Sequence, residues 1–181
     1  MSGEPEPAAG RDKLSGALLG MTFVWLGLVV GLLLMTGILA AVAVMMGEPM
    51  LDMPELAYGA LLLVPLGLVG AFVVAPMLAP TDPATAGRAM KNPAGVADWE
   101  GTPPDDPYYW FPVYAAVFYV RAGLLEGPAI MLLVFFLLTV NWVLLGGVAV
   151  LAAALIAQMP TRSKYDAWLE DVRQRQAGGS P

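Results

Sequence analysis

Residues 14–47 read LSGALLGMTFVWLGLVVGLLLMTGILAAVAVMMG, without one charged side chain. A helix rises about 1.5 Å per residue and a bilayer's hydrocarbon core is roughly 30 Å thick, so about 20 apolar residues suffice to cross it. The run exceeds that length and reads as a membrane-spanning helix. Two further uncharged runs follow, 56–81 and 127–161. The second is too long for one span, and Asn141 followed by Trp142 divides it with a polar break and an aromatic anchor, where a tight turn fits. Spans are therefore expected at 15–46, 56–78, 111–139 and 142–158. The fold class that follows is all-α: a polytopic membrane protein with a four-helix transmembrane domain over 14–160. The first and third spans are longer than hydrocarbon requires, so they tilt or project into the headgroups.

The composition agrees. Of 181 residues 58% are hydrophobic and 13% charged, whereas soluble domains carry about 25% charged residues. Nine Lys and Arg against fifteen Asp and Glu leave a net charge of -6. That is no basic excess for neutralising phosphates, so nucleic acid is not an expected partner. The chain has no His and no Cys, which excludes disulfides, thiol nucleophiles, His-based dyads and the usual zinc and haem ligand sets. No cofactor is expected. Paired intramembrane aspartates and a GxxxxGK[ST] phosphate loop are also missing.

Loop charges orient the spans, because cytoplasmic loops collect Lys and Arg. Arg11 and Lys13 precede the first span, Arg88 and Lys91 lie between the second and third, and Arg162, Lys164, Arg173 and Arg175 follow the fourth. The loop between the first two spans carries only acids, Glu48, Asp52 and Glu55. Both termini are thus expected on the cytoplasmic side. A cleaved signal peptide ending near Ala41-Val42-Ala43 is the rival reading of the N-terminus. Its apolar segment would far exceed the about 7–15 residues usual for such peptides.

Outside the bilayer, residues 1–13 and 177–181 read as disordered, being short, polar and without apolar periodicity. Residues 82–109 form a cytoplasmic loop, because Pro83, Pro93, Pro103, Pro104 and Pro107 forbid a long helix or central strand. Its acids Asp98, Glu100, Asp105 and Asp106 lack the spacing of a calcium loop and read as solvated. Tyr108, Tyr109, Trp110 and Phe111 read as an interfacial belt at the entry of the third span. Over 161–176, Tyr165, Trp168, Leu169 and Val172 recur at i, i+3, i+4 and i+7, one face of an amphipathic helix. Ser163 with Asp166 fits a capping box at its start. That face is expected to lie on the membrane surface, or to dock on a protein partner.

Inside the bilayer, Arg121 and Glu126 are the ionisable pair of the third span. Charges there are costly and mark either a function or a structural ion pair. Five residues apart, they point about 140° apart and are separated by about 7.5 Å along the axis, so they do not form the favoured i, i+4 pair. Arg121 can snorkel to headgroups, and Glu126 needs a donor or a proton. Depth matching suggests Gln158 as that donor, or Thr22. Gly127 and Pro128 place a kink just beyond Glu126, and Pro65 and Pro76 imply bends in the second span. Gly16, Gly20, Gly27 and Gly31 fall within a stripe about 60° wide, and Gly123 and Gly127 repeat the GxxxG spacing. Close packing within the chain is the expectation for these glycines, with a homo-oligomer face as the alternative.

Residues 120–138, carrying Leu124-Leu125-Glu126-Gly127-Pro128-Ala129-Ile130, resemble the proton-carrying helix of the c subunit of rotary ATP synthases. That resemblance implies a proton-binding role for Glu126. The overall layout, including Pro160-Thr161-Arg162 and Trp168-Leu169-Glu170, is similar to small bacterial four-helix integral membrane proteins. This likeness implies an inner-membrane location and no particular activity. The functional expectation is a non-catalytic accessory or scaffold subunit of a membrane assembly, the alternative being a proton or ion carrier that uses Glu126.

Overall fold

The computed structural model describes residues 7–78 and 106–178, with side chains over 12–78 and 106–174. Every regular element in them is helical. In chain order these are α1 (Pro7–Met46), α2 (Pro54–Ala60), α3 (Leu63–Val69), a π-helical turn (Gly70–Val74) and α4 (Ala75–Leu78). A 3-10 turn (Pro107–Trp110), α5 (Phe111–Thr139), α6 (Val143–Ala157) and α7 (Arg162–Gly178) follow. Asp12–Met46, Pro54–Leu78 and Pro107–Thr139 are long and apolar enough to cross a membrane. At 15 residues α6 is about 22 Å long, shorter than a hydrocarbon core.

Two expected boundaries move. Helix α1 begins at Pro7, so part of the segment expected to be disordered is helical. Proline is tolerated in a first turn, and Ala8 and Ala9 are strong helix formers. Helix α7 reaches Gly178, beyond the expected end at 176. Residues 79–105, most of the expected cytoplasmic loop with Asp98, Glu100 and Asp105, lie outside the described residues, as do 1–6 and 179–181. Asp106 is described: its carboxylate accepts the Tyr108 N–H at 2.7 Å and caps the 3-10 turn.

The prolines of the second apolar run explain why it is four pieces. Pro65 cannot donate to the Leu61 carbonyl, which the Val64 N–H reaches instead at 3.0 Å in a tightened turn. Pro76 cannot donate to Phe72. Just before it the helix widens into the π turn, where the Ala75 N–H bonds the Gly70 carbonyl.

The chain divides into two units, and α1 and α5 contribute a stretch to each. In Trp25–Leu78 with Tyr119–Met159 the core is a helical-period seam on each element. Val29 and Leu32 line α1, Leu125, Leu132 and Phe136 line α5, and Leu144, Leu151 and Leu155 line α6. The α2–α4 run contributes small residues at steps of three, seven, four and four, one helical face: Ala57, Ala60, Gly67, Ala71 and Ala75. Their size allows backbones to approach. A Cβ added to Gly67 would sit 3.1 Å from the Leu124 carbonyl oxygen and 3.2 Å from Pro128 Cγ and Leu151 Cδ2. One added to Gly147 would meet Val64 Cγ2 at 2.9 Å and Leu132 Cδ1 at 3.0 Å.

The glycines expected to pack within the chain do not. Among the described residues a Cβ on Gly16, Gly20, Gly27, Gly31, Gly123 or Gly127 would meet nothing within 4 Å. The reason is rotational: Leu14, Leu18, Met21, Trp25, Val29 and Leu32 make the buried seam of α1, and the glycine stripe lies off it.

The helix ends of this unit are closed by backbone and side-chain caps. Gly47, at φ +73°, ends α1 with its N–H on the Ala43 carbonyl at 3.2 Å. Leu51 N–H donates to the Leu138 carbonyl at 2.9 Å, tying the α1–α2 loop to the end of α5. Val140 takes the left-handed conformation at φ +47°, a costly one for a β-branched residue. Asn141 Oδ1 accepts the Val143 N–H at 3.1 Å and starts α6, so the tight turn expected at Asn141 is present.

These contacts separate two kinds of glycine. Gly67→Ala forces a methyl against backbone and should lower stability in detergent by about 1–3 kcal/mol. Gly20→Ala and Gly27→Ala have open space and should leave stability unchanged or raise it by up to about 1 kcal/mol. Thermal unfolding followed by circular dichroism checks this, and equal tolerance at Gly67 and Gly20 would contradict it.

Candidate functional site

Arg121 and Glu126 both lie on α5, half-buried, on either side of the core residues Ala122 and Leu125. Among the described residues Glu126 has no hydrogen-bond or ion-pair partner. The side chains expected to supply one are placed otherwise. Thr22 Oγ1 lies 2.9 Å from the Leu18 carbonyl oxygen and 3.3 Å from that of Pro160. Gln158 closes α6, and both polar atoms of its amide are buried without a partner among the described residues. The expected Glu126–Gln158 bond is therefore not made.

Register gives the physical reason. Leu132 packs against Gly147, and Phe136 meets Trp142 with ring centroids 5.2 Å apart, so α5 and α6 run antiparallel. Stepping equally along both helices from the Leu132–Gly147 contact brings Gln158 level with Arg121, whose Nε is buried. Glu126 stands five residues further along, about 7.5 Å away.

Polar side chains in this unit serve backbone groups. Trp25 Nε1 donates to the Leu155 carbonyl at 2.9 Å in a buried bond, at the end of α6 where that carbonyl otherwise receives the tight-turn N–H of Gln158. Thr36 and Thr139 donate to the carbonyls of Leu32 and Phe135 within their own helices. Among the described residues no group of three or more Asp or Glu is placed to hold a metal ion.

In the other unit the amphipathic face of α7 is filled by the chain itself. Tyr165 is fully buried and Leu169 nearly so, while Trp168 and Val172 are half-buried. The Tyr165 hydroxyl donates to the Pro107 carbonyl. Its ring meets Tyr114 edge-on at 5.1 Å, Phe111 at 6.4 Å and Trp168 at 5.9 Å. Tyr108, stacked on Phe111 at 5.8 Å, and Phe111 itself are buried in this cluster rather than forming an open interfacial belt. The face expected to rest on lipid or to dock on a partner is thus largely consumed by the entry of α5. The signal missed at the sequence level is the match of two aromatic sets, Tyr108/Phe111/Tyr114 and Tyr165/Trp168, each read alone as a membrane anchor.

The start of α7 also differs from the expected capping box. Thr161, not Ser163, is the cap: its hydroxyl accepts the Lys164 N–H at 3.4 Å. Asp166 instead pairs with Arg162 at 3.1 Å, an exposed i, i+4 bridge that contributes little. Burial pushes the Tyr165 phenol above its ordinary value of 10.0, Asp166 adds to that shift, and Arg162 and Arg173 oppose it.

Compared with protein families, curated proteins and solved structures, the chain matches none.

Two measurements follow. An amide buried without partners costs about 1–3 kcal/mol, so Gln158→Met, similar in length and apolar, should raise the unfolding midpoint. A lowered midpoint would mean that the amide makes a bond. The folded protein holds the Tyr165 proton more tightly than the unfolded chain does. Its contribution to stability is therefore complete below about pH 10 and declines as pH rises through the raised value. Tyr165→Phe should lower stability at neutral pH by about 0.5–1.5 kcal/mol and flatten the alkaline decline. An unchanged decline would assign it to other groups.

Proposed function

We infer that this protein is a multi-pass integral membrane protein with a non-catalytic role, an accessory or scaffold subunit of a membrane assembly. In this reading the bilayer is crossed four times, α6 serving as the short fourth span. Both termini and α7 lie in the cytoplasm of a bacterial cell, at the inner membrane. The cytoplasmic placement rests on the Lys and Arg bias of the loops.

One observation carries the non-catalytic reading: among the described residues no polar or charged residue is buried as a whole, only the Gln158 amide and the Arg121 Nε as single groups at one level, and the Thr36 and Thr139 hydroxyls and Trp25 are committed to backbone carbonyls. A carrier needs polar groups in line across the bilayer. Large apolar side chains such as Phe23, Leu34, Ile38, Leu62 and Leu66 point outward instead, as lipid contact requires. The open glycine stripe of α1 gives a partner helix, or a second copy, a place for close backbone approach.

The carrier reading keeps one specific support, a half-buried Glu126 without a partner among the described residues, two positions before Pro128 inside the same helix. Reconstituted vesicles separate the two. On the accessory reading, wild type, Glu126→Gln and Glu126→Leu pass protons at the same background rate, and mild-detergent purification brings down a stoichiometric membrane partner. Proton flux in wild type that Glu126→Gln abolishes would overturn it. Reporter fusions at residues 52 and 181 should report opposite sides of the membrane, and the same side for both would overturn the four-span topology.

A further inference from the structure

The segment that runs from the end of α1 through the loop into the start of α2 reads Met45-Met46-Gly47-Glu48-Pro49-Met50-Leu51-Asp52-Met53-Pro54-Glu55. Four of the chain's 11 methionines stand within it. Methionine is ordinarily among the most buried residues, yet Met45 is 86% exposed, Met50 62% and Met53 50%. Lipid contact does not account for Met50 and Met53. They are interleaved with the exposed Glu48, Pro49 and Asp52, a sequence that belongs in water or headgroups rather than hydrocarbon.

We propose that Met46, Met50 and Met53, assisted by Met45, form a site for a soft monovalent metal ion, Cu(I) or its analogue Ag(I). Thioether sulfur is a soft ligand that selects Cu(I), and it is neutral at every pH. The chain has no Cys or His to compete for such an ion. The carboxylates of Glu48, Asp52 and Glu55, with no basic residue between Lys13 and Arg88, give the loop a negative potential that attracts a cation. Among the described residues these acids do not converge as a hard-cation site, so the thioethers supply the selectivity.

The loop is also held in place. Gly47 turns the chain out of α1, Leu51 N–H is bonded to the Leu138 carbonyl at 2.9 Å, and Leu56 N–H bonds the Met53 carbonyl at 3.1 Å. Pro49 and Pro54 restrict the backbone on either side of Met50 and Met53. Less conformational entropy is then lost when the flexible methionine side chains close on an ion.

The test uses the full-length protein in detergent, titrated with Cu(I) under ascorbate against the coloured bicinchoninate complex. Wild type should withdraw one Cu(I) per chain, with sulfur ligands in the copper X-ray absorption spectrum. A triple variant, Met46→Leu, Met50→Leu and Met53→Leu, should withdraw none while keeping its helical signal and unfolding midpoint, because Leu for Met conserves volume. A large excess of Mg²⁺, which takes oxygen ligands, should leave wild-type binding unchanged. Competition by wild type no better than by the triple variant, or displacement by Mg²⁺, would overturn the site.

Discussion

The packing of the Trp25–Leu78 and Tyr119–Met159 unit depends on a backbone carbonyl that proline leaves without its helical partner. Pro128 has no N–H to offer Leu124, and in an apolar interior such a freed carbonyl has no water to turn to. Gly67 comes close enough that even a methyl on its Cα would stand 3.1 Å from that oxygen. The same approach brings Gly67 against Pro128 and Leu151, so α3, α5 and α6 meet at one residue that has no side chain. The small positions of the α2–α4 run continue this contact in both directions. Its own prolines are accommodated by a tightened turn and a π turn, without leaving the helical path.

The same need for backbone partners explains what the polar side chains do. Trp25 reaches the end of α6, where the Leu155 carbonyl already receives the Gln158 N–H in a tight turn, and adds a second donor there. A buried indole at that point closes a helix end and fills core volume together. Gln158 stands one turn further, on the seam of Leu144 and Leu151, and its amide gains nothing from that burial. Arg121 at the same level and Glu126 deeper along α5 do not join it in one polar cluster. The three residues are therefore separate features of a mainly apolar bundle.

In the other unit the constraint is aromatic packing. Tyr165 combines a buried ring, edge-on contact with Tyr114 and a hydroxyl bonded to Pro107, holding α7 to the entry of α5. Aromatic pairs of this kind contribute about 0.5–1.5 kcal/mol beyond their buried area. Hydrophobic periodicity in α7 marks a face that needs covering, and it carries no information about what covers it.

Properties that depend on neighbours along the chain were legible in the sequence. The long uncharged runs mark apolar helices because length and hydropathy alone decide whether a segment suits a bilayer. Asn141 announced the turn before α6, Gly47 stands where α1 ends, and the prolines mark the irregularities, each through backbone chemistry local to the residue. The one-face spacing of Ala57, Ala60, Gly67, Ala71 and Ala75, at steps of three, seven, four and four, was also present in the sequence, less conspicuous than the GxxxG pairs of α1. Which of the two small-residue faces touches another helix was decided only in three dimensions. Rotation about a helix axis is set by all its neighbours together, and they turned the leucine and tryptophan seam of α1 inward and its glycines outward. That Glu126 and Gln158 do not pair was undecidable for the same kind of reason. Depth along a span follows from counting residues, but pairing across helices depends on a register that the Leu132–Gly147 and Phe136–Trp142 contacts fix, and that register brings Gln158 level with Arg121 and not with Glu126.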